Sequence, residues 1–129
     1  MLPRRKPPRS GIKSMTWTRE WPRHRSFVTK FVCVCFKAGN CAGPIQAAHL
    51  NTDELPEHER GGQGLKPHDA WCFPACHFHH IEEQHRMGFE AFQAKYGINL
   101  YQVCRQLQRT SPCKAAWAEQ DAARAAGVL

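Results

Sequence analysis

Cys72-Phe73-Pro74-Ala75-Cys76-His77-Phe78-His79-His80-Ile81-Glu82-Glu83-Gln84-His85 is the stretch whose reading decides the fold. Its first half, with Ala70 and Trp71 before it, reads as a short strand over 70–73 that Pro74 closes, since proline gives a sheet no ladder donor. Its second half reads as the start of a helix. Cys76 and His79 stand three apart there, a spacing from which zinc takes two ligands on one turn. Zinc wants four such ligands, usually as two pairs, and Cys41 with Cys33 or Cys35 can supply the second pair from an upstream knuckle. Five of the seven cysteines fall between Cys33 and His85. Cys104 and Cys113 lie outside that set and read as small buried hydrophobes.

Working upstream, Ile45 to Leu50 reads as a short strand that ends at His49, after a turn-rich segment holding Gly39, Asn40, Gly43 and Pro44. A histidine at a strand end can take a proton from water, and a metal-bound histidine on a helix can help stabilise a leaving oxygen. Between His49 and Asp69 runs a long loop with the glycine-rich Gly61-Gly62-Gln63-Gly64. A loop of this length is expected to be functional or mobile. Its acids (Asp53, Glu54, Glu57, Glu59) and its histidines His58 and His68 read as surface residues. From Arg23 to Phe36 the aromatic and β-branched residues suggest a short helix running into a strand or turn. Downstream, Phe89, Phe92 and Tyr96 share a helix face, Gly97 is placed to end that helix, and Asn99 to cap the next. Leu100, Val103, Cys104 and Leu107 give that next helix an apolar stripe. Ser111 and Pro112 read as N-cap and first residue of an Ala-rich helix ending near Gly127.

The chain has 129 residues with 42% hydrophobic, enough for one modest core but not for two. It holds no apolar run of the roughly 18 residues a membrane helix needs, and no apolar segment follows the basic N-terminus. A cytoplasmic protein with no membrane partner is expected, and in that compartment thiols stay reduced or bind metal. Up to Lys30 there are nine basic residues and a single acid, Glu20, against a formal net charge of +7 for the whole chain. Such an arm can follow a polyanion by releasing its counterions, or can simply be a solubilising tail. Arg4, Arg5, Lys6, Arg9 and Lys13 are its candidate nucleic-acid contacts, with Lys66 of the glycine loop a further one. The organisation expected is a flexible arm over 1–15, a domain over 16–110 and an Ala-rich C-terminal helix over 111–129.

Taken together, Ile45-Gln46-Ala47-Ala48-His49-Leu50, the loop Gly62–Asp69, Phe73–His80 and Glu83-Gln84-His85 resemble the HNH, or ββα-metal, endonucleases. The likeness is to small phage and prophage members, including the RecA-dependent Ref-type nucleases and the DUF968 group. The resemblance spans roughly Trp21 to Leu107. It implies an α+β fold, a small ββα-metal core with a zinc knuckle, followed by extra C-terminal helices and preceded by the basic arm. It implies metal-dependent hydrolysis of DNA phosphodiesters, with His49 as general base and His80 on the catalytic ion, Mg²⁺ or Mn²⁺. Structural zinc falls on Cys33, Cys41, Cys76 and His79. Asp69 is the candidate for the middle residue of the motif, orienting His49 or the turn. His85 completes the catalytic ion's shell in place of Gln84, as though one residue had been inserted after His80. Ala48 departs from the family, where a metal ligand often precedes the general base. The resemblance further implies a phage or prophage origin, a role in recombination or DNA processing, and a RecA-type recombinase filament as partner. The other reading is a zinc-stabilised nucleic-acid-binding module without catalysis, or a phage protein that binds a recombination factor.

Overall fold

In the computed structural model, which describes residues 19–127, the protein is a small α+β fold around one two-stranded sheet. Helix α1 (Pro22–Val28) opens with a proline in its first turn, where the missing N–H costs nothing. A 3₁₀ turn (Phe36–Ala38) follows, then strand β1 (Ile45–His49), a second 3₁₀ turn (Glu57–Glu59) and strand β2 (Cys72–Cys76). A π-helical segment (Phe78–Gln84) runs directly into α2 (His85–Met87). Gly88, at φ +85°, breaks the chain before α3 (Phe89–Tyr96), and α4 (Leu100–Thr110) and α5 (Lys114–Ala125) complete the fold. The cations assigned to the basic arm, Arg4, Arg5, Lys6, Arg9 and Lys13, lie outside the described residues. Among the described residues no helix is long and apolar enough to cross a membrane.

The strands pair antiparallel, with Ile45 opposite Cys76 and His49 opposite Cys72. Strand β2 therefore begins two residues later than the sequence suggested and runs through Pro74. Register explains why proline is tolerated. The bonds His77 N–H to Pro44 O and Leu50 N–H to Trp71 O mark the hydrogen-bonded pairs at the two ends of the ladder. Counting by two places Ala47 and Pro74 in a non-bonded pair, so the ladder asks nothing of the proline nitrogen. The Pro74 carbonyl accepts instead from Val34 N–H at 2.9 Å, which ties the upstream knuckle to the back of β2. No strand forms over 29–36, because that segment follows the knuckle and not the sheet.

Trp21, Trp71 and Trp117 meet edge to face at the centre of the core, with Trp71 stacked on Tyr101 at 5.1 Å. Trp117 belongs to α5, so that helix packs into the same core as the sheet. Its helix starts at Lys114, two residues after the expected Pro112. Ser111 is used elsewhere, since its hydroxyl accepts from Cys113 N–H and bonds His24 Nδ1 at 2.7 Å. Asn99 caps α4 as expected, accepting from Gln102 N–H at 3.0 Å, and Gly97 ends α3 in the left-handed region at φ +61°. Cys104 and Cys113 are buried in the core as read.

Two residues expected at the surface are buried. Glu59 is only 1% exposed, and its carboxylate accepts from Trp71 Nε1 at 2.7 Å, Gln120 Nε2 at 2.9 Å and Arg124. That network pins the long loop onto α5. His68 is buried against Trp21 and Trp117, and burial first of all pushes its pKa down to about 4, against the opposing pull of Glu59 and Asp69. His58 is exposed, as read.

Candidate metal centre and histidine cleft

The sequence from Cys33 to Cys41 makes no regular secondary structure apart from its single 3₁₀ turn, yet it is held firmly at both ends. Val34 is tied to β2, while the Ala42 and Pro44 carbonyls accept from Phe78 N–H and His77 N–H, each at 3.0 Å. Gly43 permits that approach. Its φ is +84°, and a Cβ there would stand 2.7 Å from the His77 Cβ. Cys33 and Cys41 are thereby brought to the start of the π-helical segment, where Cys76 and His79 wait.

One ligand atom from each of Cys33, Cys41, Cys76 and His79 lies within 4.8 Å of the others, a set that can hold a metal ion such as zinc. His79 Nδ1 is 3.5, 3.7 and 3.1 Å from the sulfurs of Cys33, Cys41 and Cys76. Tetrahedral zinc with ordinary bond lengths asks for S···N edges of about 3.6 Å, so the donors stand close to the required spacing. Amide groups also point at two of the sulfurs, Cys35 N–H at Cys33 and His79 N–H at Cys76, 3.4 and 3.5 Å away. Such bonds favour thiolate, and with the Ala42 amide and the neighbouring thiols they overcome the opposing effect of burial and lower the Cys76 pKa. Burial and the thiols of Cys33 and Cys76 push Cys41 up to about 12. Cys35 is buried but stands outside the four-atom set, which includes Cys33.

A second constellation lies at the end of β1. His49 Nε2 is 2.7 Å from Asp69 Oδ1, and the other carboxylate oxygen accepts from Trp21 N–H at 2.7 Å and from Arg25. The Asp69 side chain is only 5% exposed. Burial alone would raise its pKa, but the bonds from His49 and Trp21 and the charge of Arg25 win and hold it below the usual carboxylate range. A carboxylate so fixed takes the Nε2 proton of His49 as a hydrogen bond and leaves Nδ1 with its lone pair. Cys72 lies close enough to join this pair. Burial raises its thiol well above the normal range, and its side chain is fully buried in the core.

His80 is the third piece. Its Nδ1 is 2.7 Å from Gln46 Oε1 on β1, which places the proton on Nδ1 and the lone pair on Nε2. Burial, then the proximity of His85, His49 and His77, lowers its pKa to about 4, so the ring is neutral near pH 7. The His85 ring lies 4.6 Å from it, edge to face. This pairing follows from the π-helical geometry, in which the His85 amide bonds the His80 carbonyl. In an α-helix the residue one turn above His80 is Gln84, whereas a π turn takes one residue more. Gln84 is turned inward and buried, while His85 is exposed beside His80. Ala48, where the resembling family often has a ligand, is fully buried in the core.

Lys66 is exposed and lines the cleft that holds His49 and Asp69. The sequence reading counted Arg19 only among the nine basic residues up to Lys30 and gave it no role of its own. Its guanidinium gathers the carbonyls of His58, Arg60 and Lys66 at 2.7, 2.6 and 2.7 Å, fastening both ends of the glycine loop. Gln46 also went unread. Neither carries a motif, because each acts through a partner distant in sequence.

No family model matches the chain, and no solved structure matches it. The uncharacterized protein YdfU of Escherichia coli (strain K12) is 32% identical over 97 residues, 75% of this chain and 24% of that protein. The chain therefore spans about a quarter of the length of the curated relative it matches.

Proposed function

We propose that the protein is a metal-dependent DNA endonuclease of the HNH type, hydrolysing phosphodiester bonds, with structural zinc on Cys33, Cys41, Cys76 and His79. The observation that carries this reading is the His49–Asp69 pair at a strand end, close enough to His80 to depress its pKa, with His85 beside His80. Two imidazoles on one helix face are a partial shell for a divalent cation. Their nitrogen donors fit Mn²⁺ or a later ion better than Mg²⁺, which asks for oxygen. When bound, such an ion supplies positive charge against the phosphate and the leaving oxygen.

The chain's own groups do the rest. Asp69 holds the Nε2–H of His49, so that Nδ1 takes a proton from a water as that water's oxygen bonds to phosphorus. The P–O3′ bond then breaks, and the 3′ oxygen leaves and is protonated from solvent. Gln46 fixes the tautomer of His80 so that Nε2 keeps its lone pair.

The deciding experiment is plasmid nicking with and without Mg²⁺ or Mn²⁺, run beside His49→Ala with zinc measured in both proteins. Nicking that needs the divalent ion and vanishes in a zinc-replete mutant is the expected result. Equal nicking by both proteins would end the reading. Ala48 favours one alternative, a zinc-stabilised nucleic-acid-binding module without catalysis, and zinc-replete protein that binds DNA but never nicks it would support that instead.

A further inference from the structure

The cleft beside His49 has walls that the hydrolytic chemistry leaves unused. It measures about 520 Å³, and Arg25, Gly64, Leu65 and Lys66 line it together with His49 and Asp69. Arg25 spends one nitrogen on Asp69, yet its side chain is 38% exposed. A guanidinium carries five donors, so most of its fork remains for an anion. Lys66 is exposed, its ammonium makes no hydrogen bond or ion pair among the described residues, and its backbone carbonyl is held by Arg19. Its ammonium is therefore delivered to the rim from an anchored main chain.

The loop between them is built as a tight projection. Gly62 and Leu65 exchange both backbone bonds, at 3.0 and 2.9 Å, around Gln63 and Gly64, which both have positive φ. This is the geometry of a two-residue hairpin turn. It leaves Leu65 61% exposed next to a lysine, an apolar side chain where a buried one would cost less. An apolar lip beside two cations matches the alternation of sugar or base with phosphate along a nucleic-acid strand. Glu20 shares the rim but is engaged by another group.

We propose that this cleft is a phosphate subsite. It seats one backbone phosphate of a nucleic-acid strand beside His49, with Arg25 and Lys66 as its cations and Leu65 against the adjoining sugar or base. The inference rests on the endonuclease reading for the polymer it names, and on the cleft itself for the phosphate. Arg25 then bridges substrate and Asp69, so a seated strand and an oriented His49 share one guanidinium.

The test is binding, measured in full-length His49→Ala without divalent ions, by anisotropy of one labelled oligonucleotide made as DNA and as RNA, across a salt series. Added to that background, Lys66→Ala is expected to weaken binding three- to tenfold and flatten the log–log salt slope by about one. Leu65→Ser is expected to weaken binding with the slope unchanged, because no counterion is released by an apolar contact. Arg25→Lys keeps the charge and the Asp69 ion pair but loses the fork, and is expected to weaken binding at an unchanged slope. Lys114→Ala, on α5 and outside this cleft, serves as the charge control and is expected to bind as the parent does. This signature in either polymer supports the subsite. Equal losses for Lys66→Ala and Lys114→Ala, or none for Lys66→Ala and Leu65→Ser, would overturn it even if the wild type cleaves DNA. If the signature appears and the wild type never cleaves, the nuclease reading alone fails. Failure to bind either polymer would sink both.

Discussion

Replacing Asp69 by Asn exchanges one buried oxygen for an amino group and nothing else. The carboxylate now accepts from His49 on Oδ1, and from the Trp21 amide and Arg25 on Oδ2. Asparagine has one acceptor oxygen and must choose. Turned toward Trp21 and Arg25, it presents N–H groups to His49, whose Nε2 must become an acceptor while the proton moves to Nδ1. Turned toward His49, it leaves the Trp21 amide facing another donor in a buried place. Either way about two charge-assisted bonds are weakened, at about 1.5–3 kcal/mol each. Arg25 is partly exposed and water compensates it, so the net loss of stability is expected to be about 2–4 kcal/mol. In the first arrangement His49 can no longer take a proton through Nδ1, and nicking is expected to fall by about 10²–10⁴-fold. Urea unfolding measures the first quantity, and long-range ¹H–¹⁵N spectra of the imidazoles read the tautomer without reference to activity. A loss under about 1 kcal/mol together with an unchanged His49 tautomer would refute the argument.

Removing zinc, by chelation or by Cys76→Ser, is expected to lower the melting temperature markedly, with one ion per chain in the parent; an equal melting curve for zinc-free protein would show that the four donors are not a structural centre. Glu59→Ala strands Trp71 Nε1, Gln120 and Arg124, at an expected cost of about 3–5 kcal/mol in urea unfolding, of which Glu59→Gln should recover part by keeping an acceptor for Trp71. Stability should also fall as pH drops. His24 and His68 have pKa values lowered by burial from 6.5 to about 4, so between those values the unfolded chain binds protons that the folded one refuses, at up to about 3 kcal/mol each. Asp69, depressed in the fold, adds its loss at lower pH still. Identical unfolding midpoints at pH 7 and pH 5 would contradict this.

What the sequence shows well is what short-range spacing encodes. Strand β1 and its end at His49, the Cys76/His79 pair, the Asn99 cap and the Gly97 terminator all follow from residues within a few positions of one another. Pro74 misled because its tolerance depends on register against β1, which no local pattern records. Ser111 misled because its hydroxyl is claimed by His24, 87 positions away in the chain. Glu59 and His68 looked like solvated loop residues, since polarity is the local signal and their burial depends on α5 and α1 packing over them. As candidate metal donors Cys35 and Cys33 were equivalent by spacing, and the path of the knuckle beneath Pro74 brings Cys33 and not Cys35 into the four-atom set. Arg19 and Gln46 had no motif to announce them.

The one-residue surplus between His80 and His85 is absorbed where it arises. Because the π turn accommodates it locally, the strand before it and the helices after it need no change of direction. Shortening the chain by one residue within 81–83 would let the segment close as an ordinary α-helix, with the second imidazole still one turn above the first. The length of the chain at this point and the meeting of the two imidazoles are therefore independent of one another.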